Sequence, residues 1–241
     1  MNIRLYHPDS ILENNTSLLS KEHTHYIVNV MRLKRGSNLN FFNKNGEWKS
    51  EIIFLNKDRV EVRFLEKIRE ANNLSKTELA ICLVKKIPMD NILQKATELG
   101  ISKIIPIISE RTDVKELNLD RAKKIVIEAT EQSNQLVPPN ISDVIKLKDF
   151  LLTFDENSKI LFADVNSKEK LKTEDLKNFK SFCILIGPEG DFSPVERELI
   201  LQNRAVKPFT LSRNILRSDT CLLYTSPSPR DNTTSRMPSS A

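Results

Sequence analysis

Residues that build crosslinks and metal centres are scarce in this chain. Its three cysteines, Cys82, Cys183 and Cys221, are odd in number, far apart and in no CxxC pattern. That excludes a disulfide framework and a zinc-ribbon type of site, and it suits a reducing, cytoplasmic setting. The three histidines, His7, His23 and His25, all fall near the N-terminus, and no His/Cys/carboxylate group has metal-ligand spacing. No catalytic metal is expected. Apolar runs are short, well below the ~18 residues of a membrane span, and the opening MNIRLYHPDS lacks the apolar core of a signal peptide. There is no GxxxxGK[ST], no GxGxxG and no GxSxG, which argues against a P-loop hydrolase, a Rossmann enzyme and an α/β-hydrolase.

What is present is enough for a globular protein. The 241 residues allow one large domain or two modest ones, and a 39% hydrophobic content can supply their cores. The net charge of +5 is a mild basic excess, compatible with a polyanionic partner and with many proteins that have none.

Two patterns divide the chain. Up to residue 72 it reads as short strands: Ile3 to Tyr6, Asn38 to Phe42, Ser50 to Phe54 and Arg59 to Phe64. Val60, Val62 and Phe64 alternate with Glu61 and Arg63, as in a half-buried strand. Asn45-Gly46 signals a hairpin turn. Lys21 to Leu33 reads as a helix with Ile27, Val30 and Met31 as its apolar stripe. After the polar stretch 70–75 the apolar runs become continuous, as in strands buried on both faces, and they alternate with helical periods. The expected order is strand Leu79 to Val84, helix Met89 to Leu99 capped by Gly100, strand Ile104 to Ile108 and helix Leu119 to Gln132. Strands Lys159 to Val165 and Phe182 to Ile186, helix Pro194 to Asn203 and strand Phe209 to Leu211 follow. This predicts an α/β domain with a parallel sheet. The stretch 221–241 is rich in Ser, Pro and Thr, has no apolar period and reads as a disordered tail.

The chain has five glycines, and two of them fall in Gly187-Pro188-Glu189-Gly190, directly after the apolar SFCILI. Glycines at both ends let a loop turn sharply and approach a ligand, at the strand end where α/β proteins bind small molecules. Ser193, Pro194 and Glu196 then open a helix with a capping box. Alone this is an ordinary strand-to-helix turn. About two dozen residues on comes Leu211-Ser212-Arg213-Asn214-Ile215-Leu216-Arg217-Ser218-Asp219-Thr220, a short apolar segment with two arginines.

Together these segments resemble the end of the RsmE family, uridine-N3 methyltransferases of small-subunit (16S) ribosomal RNA in the SPOUT superfamily. The resemblance covers nearly all of residues 1 to 220. It includes Gln94-Lys95-Ala96-Thr97-Glu98-Leu99-Gly100, Ser109-Glu110-Arg111, the helix segment from Ile127 to Gln132 and the basic stretch from His25 to Gly36. It implies a PUA-like RNA-binding β-barrel over 1–72, a trefoil-knotted SPOUT α/β domain over 76–220 and a homodimer. The segment 221–241 resembles no part of the family. Ser212, Asn214 and Gln135 stand where the family usually has Gly, Arg and Arg.

The implied cofactor is S-adenosyl-L-methionine, held by Ile186, Gly187, Pro188, Glu189, Gly190, Leu211, Asn214, Ile215 and Leu216. Arg217, then Arg213, would stabilise the developing uridine anion. Glu189 either serves as the base or only shapes the cofactor pocket. Arg4, Arg32, Lys34, Arg35, Lys95 and Arg111 would meet RNA. For Lys95, an i,i+3 salt bridge with Glu98 on a solvated face is an equal alternative. Two other functions stay open: a non-catalytic RNA-binding protein with this fold, and a SPOUT enzyme with another RNA target.

Overall fold

The computed structural model describes residues 3–71, 77–154, 159–170, 182–211 and 218–225. The chain divides into two compact units, Met1–Asn73 with Thr130–Val137, and Leu74–Ala129 with Pro138–Ala241.

The first unit is built on a five-stranded mixed sheet in the order β1-β3-β4-β5-β2. The strands are β1 (Arg4–Tyr6), β2 (Thr16–Leu18), β3 (Asn38–Asn43), β4 (Gly46–Leu55) and β5 (Val60–Glu70). Val60, Val62 and Phe64 point into a core with Phe41, Trp48 and Ile52, as their alternation predicts. The hairpin differs slightly from expectation. Asn43 pairs with Gly46, so Lys44 and Asn45 form the turn. Gly46 opens β4 at φ +139°, and a Cβ there would lie 2.4 Å from the Arg69 carbonyl oxygen.

The helix expected over 21–33 is a correction. An α-helix, α1 (Lys21–His25), capped by the Ser20 hydroxyl, passes into a π-turn over Tyr26–Val30. The Met31 N–H donates to the Tyr26 carbonyl, and Arg32 follows at φ +51°. The wider turn breaks the 3.6-residue period. Ile27 is fully buried, whereas Val30 is 56% exposed and Met31 also faces out. Val28 and Leu33 pack on the core in their place.

A buried carboxylate organises one end of this unit. Glu47, 4% exposed, accepts from Arg4 Nε (3.0 Å) and Asn40 Nδ2 (2.9 Å), with Arg69 Nε 3.5 Å away. Arg4 also donates to the carbonyls of Glu131 and Gln135, and Arg69 to Asn134, which fastens residues 130–137 to the sheet.

The second unit carries a sheet that is seven-stranded among the described residues. Its path is β12-β10-β11-β6-β7-β8, with β9 also on β7, and every pairing is parallel. The strands are β6 (Thr77–Cys82), β7 (Lys103–Ile108), β8 (Asn140–Ile141), β9 (Ile145–Lys146), β10 (Lys159–Ala163), β11 (Phe182–Ile186) and β12 (Val206–Phe209). The helices are α2 (Lys86–Glu98), α3 (Leu119–Gln132), α4 (Leu147–Leu152), α5 (Pro194–Gln202) and α6 (Ser218–Thr225). The central strands are buried on both faces, which explains their unbroken apolar runs. Met89, Ile92, Leu93 and Ala96 of α2 and Ala122 and Val126 of α3 cover one face, as their spacing predicts.

The helix α6 corrects the reading of the chain's end. A disordered tail from Cys221 is expected, yet 221–225 is helical, and Leu222 is fully buried in the core with the α2 residues. An apolar pair, Cys221-Leu222, suffices to dock a short helix whose sequence shows no long period. The rest of the expected tail, 226–241, lies outside the described residues.

Candidate cofactor site

Strand order fixes where a ligand can bind. After β10 the chain enters β11 on one side, then crosses back to β12 on the other side of β10. Such a reversal opens a crevice beyond the carboxyl ends of the strands. Three loops leave the sheet there: from Asp164, from Gly187 and from Thr210.

These loops are tied to one another. Ser218 Oγ donates to the Gly187 carbonyl (3.3 Å), and Thr210 N–H donates to the Glu169 carbonyl (2.7 Å). Asp164, 2% exposed, receives Arg197 Nη2 (2.8 Å) and Nε (3.2 Å) from α5 and caps its own turn through the Asn166 N–H (3.0 Å). The loop after β11 is thus braced from both sides. Within it, Asp191 N–H donates to the Pro188 carbonyl (3.0 Å), and Asp191 takes φ +59°. A Cβ on Gly187 would sit 2.9 Å from the Phe192 ring, whereas one on Gly190 would meet nothing within 4 Å. The first glycine therefore packs inward, and the second leaves the loop open.

The expected capping box is present: Ser193 Oγ accepts the Glu196 N–H, and Glu196 Oε2 accepts the Ser193 N–H. Glu196 has a further task. Its Oε1 accepts the Glu110 N–H (2.8 Å), joining the Ser109-Glu110-Arg111 loop to this helix start. Arg111 Nη1 then donates to the Gly190 carbonyl (2.9 Å). Below the loop, burial pushes the Cys82 thiol up to about 12, beside the Ser109 and Thr112 hydroxyls. Such burial disfavours the thiolate that a nucleophilic cysteine needs.

The structure brings together Ile186, Gly187, Pro188, Glu189 and Gly190, with half-buried Leu211 at the start of the third loop. Ile186 is buried, and Glu189 is exposed. Arg213, Asn214, Ile215, Leu216 and Arg217 lie outside the described residues. Lys95 pairs with Glu98 Oε2 at 2.7 Å, as its spacing allows. Arg32, Lys34 and Arg35 are exposed beside the outward-facing Tyr26, Val30 and Met31. Arg4 is a correction. All three of its guanidinium nitrogens have partners inside the first unit, so it is an internal strut and does not face phosphate. Among the described residues no cluster of His, Cys, Asp or Glu could hold a metal ion, and no helix is long and apolar enough to cross a membrane.

Sequence reasoning missed Asp164, Arg197 and the second role of Glu196. Asp164 was legible in principle, as a carboxylate directly after an apolar run, but an expected strand reaching Val165 hides it inside the element. The link from Glu196 to Glu110 spans 86 residues and has no local signal.

The fold and this loop arrangement define an RNA methyltransferase of the SPOUT type. Residues 70–227 match the RNA methyltransferase domain, and residues 19–65 match the RNA methyltransferase PUA domain. The chain belongs to the RsmE family of small-subunit ribosomal RNA methyltransferases. It is 34% identical over 225 residues to ribosomal RNA small subunit methyltransferase E of Rickettsia conorii, covering 91% of each chain. It is 31% identical over 229 residues to the protein of that name from Bacillus subtilis, covering 89% of each. Its fold is similar to that of ribosomal RNA small subunit methyltransferase E from Neisseria gonorrhoeae bound to S-adenosyl methionine. The TM-score is 0.83 at 27% identity, over 92% of this chain and 94% of that one. A methyltransferase structure from Legionella pneumophila, in complex with the bound cofactor SAM, gives 0.79 at 28%, over 93% and 95%.

Proposed function

We propose that this chain methylates N3 of a uridine in small-subunit ribosomal RNA, with S-adenosylmethionine as donor, working in the cytoplasm as a homodimer. The domain limits of this reading are 1–72 for RNA contact and 76–220 for methyl transfer. The observation that carries it is the convergence of three tied loops on the carboxyl edge of β10, β11 and β12. It is reinforced by two similar structures that hold this cofactor. The residues fit such a group: Gly190 leaves open space, and the loop from Gly187 to Gly190 sits where its backbone can approach a ligand.

The bound donor supplies an electrophilic methyl group on a sulfonium. Transfer breaks that S–CH3 bond and forms N3–CH3, and the N3 proton leaves to a base. The protein's work is therefore to align the reactants and to stabilise the imide anion as it forms. Arg217 is assigned that second task and Arg213 is next in line. Glu189, exposed on the loop, either takes the proton or shapes the pocket. Ile186 to Gly190, Leu211, Asn214, Ile215 and Leu216 form the cofactor wall. Arg32, Lys34 and Arg35, beside exposed Tyr26 and Met31, offer phosphate contacts and a surface for stacking. Arg111 links the RNA side to the cofactor loop.

Calorimetry tests this. Wild-type protein binds S-adenosylmethionine, and Gly187→Val, which drives a side chain into Phe192, abolishes binding. Arg217→Ala keeps cofactor affinity and lowers kcat on the order of 100-fold. A folded wild type that binds no S-adenosylmethionine would contradict the proposal.

A further inference from the structure

A cavity opens beyond the carboxyl ends of the same sheet. It measures about 300 Å³ and lies beyond the end of β6, between the start of α2, the start of α3 and the 114–118 segment. Its walls are apolar: Leu83, Met89, Leu93 and Leu117. Its rim is polar and carries both signs of charge, with Lys86, Asn118, exposed Glu116 and the Asp90–Arg121 ion pair. That volume is at the lower end for small-ligand sites and suits a single planar ring.

Its position is informative. Strand β6 is the hydrogen-bonded neighbour of β11, with Ile81 paired to Ile186, the residue before Gly187. Leu83, in the cavity wall, is two residues beyond Ile81. Neighbouring strands are about 4.8 Å apart. The two strand ends are therefore neighbours, with the cavity on the face covered by α2 and α3 and the cofactor loop passing from the strand end toward Phe192 on the other face. The 109–118 segment joins them: Arg111 reaches the Gly190 carbonyl at one end, while Val114 and Leu117 line the cavity at the other.

We infer that this cavity receives the base to be methylated, a uracil turned out of its RNA stack. The inference rests on the function proposed above. N3 sits on the Watson–Crick edge, so the base must leave any pairing before the methyl can reach it. Apolar walls suit the two faces of the ring. The N3 atom lies between two carbonyl oxygens, and these call for hydrogen-bond donors. Lys86 carries donors only. Asn118 Oδ1 is already committed to capping α3 through the Arg121 N–H (2.9 Å), so its amide NH2 is what it can offer. The helix α2 begins here with no side-chain cap, and its positive end favours an anion at this spot. Exposed Lys85 and Lys86 stand where the flanking phosphates would pass.

Ala122→Leu, which fills the cavity, and Lys86→Gln, which replaces a surface cation, test the inference with unmethylated small ribosomal subunits as substrate. Ala122→Leu is expected to bind S-adenosylmethionine and subunits as wild type does, whereas Lys86→Gln should keep cofactor binding and bind subunits a few-fold more weakly. Ala122→Leu should lower kcat/KM on the order of 100-fold by displacing the base, and Lys86→Gln should lower it less. RNA carrying 4-thiouridine at the target should photo-crosslink to peptides containing Met89 or Leu117, which decides the matter if Ala122→Leu does not fold. Unchanged kcat/KM in Ala122→Leu, or crosslinks confined to other peptides, would overturn the cavity's role. A wild type that binds cofactor and subunits but makes no N3-methyluridine would overturn the underlying function instead.

Discussion

The two units hold themselves together differently. The second is organised by apolar layers: a parallel sheet buried on both faces, covered by helices whose inward residues recur at 3.6-residue spacing. The first has a smaller apolar core and leans on a buried polar hub, Glu47, with Arg4, Asn40 and Arg69 gathered on one carboxylate. A layered core is written locally in the sequence, because each element carries its own period. A polar hub is written across long separations, because its members matter only together.

The sharpest way to break this contrast is to cut a buried aromatic of the second unit's core and the carboxylate of the first unit's hub. Phe162 of β10 is 1% exposed and packs edge-on to Phe192 at 5.6 Å. Phe162→Ala should cost roughly 3–5 kcal/mol in denaturant unfolding and weaken cofactor binding, because Phe192 underlies Gly187. In the first unit, Glu47→Gln should cost about 2–3 kcal/mol, since it leaves two arginines beside a neutral amide. Loss of Phe162 with little effect, or of Glu47 with none, would erase the distinction.

A pH titration sharpens it further. Burial, and then the nearby His7 imidazole, hold His23 below its ordinary 6.5, while Glu22 opposes them weakly. Below 6.5 the unfolded chain takes up a proton that the folded chain resists. Stability should therefore fall as pH drops from 6.5 through the lower folded value, and change little from this cause above 6.5. His23→Gln should flatten that slope; an unchanged slope would place the acid sensitivity elsewhere. The smallest effect is chemical. Burial raises both the Cys82 and Cys183 thiols, whereas Cys221 is half-exposed. A thiol reagent at neutral pH should label Cys221 first and reach the other two only on unfolding. Equal rates would contradict the layered core.

Legibility followed the same division. The strand Phe182–Ile186 and the helix Leu119–Gln132 have the limits that their sequence predicts, because both are long or fully buried. The helix after Ser20 did not keep its period, since a π-turn rotated Val30 and Met31 outward. Short elements such as Thr16–Leu18 and Leu147–Leu152 carried too few residues to show a period at all. At the site, the loop from Gly187 to Gly190 and its capping box were readable from spacing. Arg4 was misread because a basic residue near a terminus looks solvent-facing, and nothing local announces Glu47 as its partner. The Asp164–Arg197 brace and the Glu196–Glu110 link stayed hidden for the same reason, because each joins segments far apart in the chain.

The most direct test of the central claim is nucleoside analysis of unmethylated small ribosomal subunits after incubation with the purified chain and S-adenosylmethionine. The account predicts that N3-methyluridine appears, and that Gly187→Val prevents it. Subunits that stay unmethylated, or that gain a methyl group at another position, would contradict it.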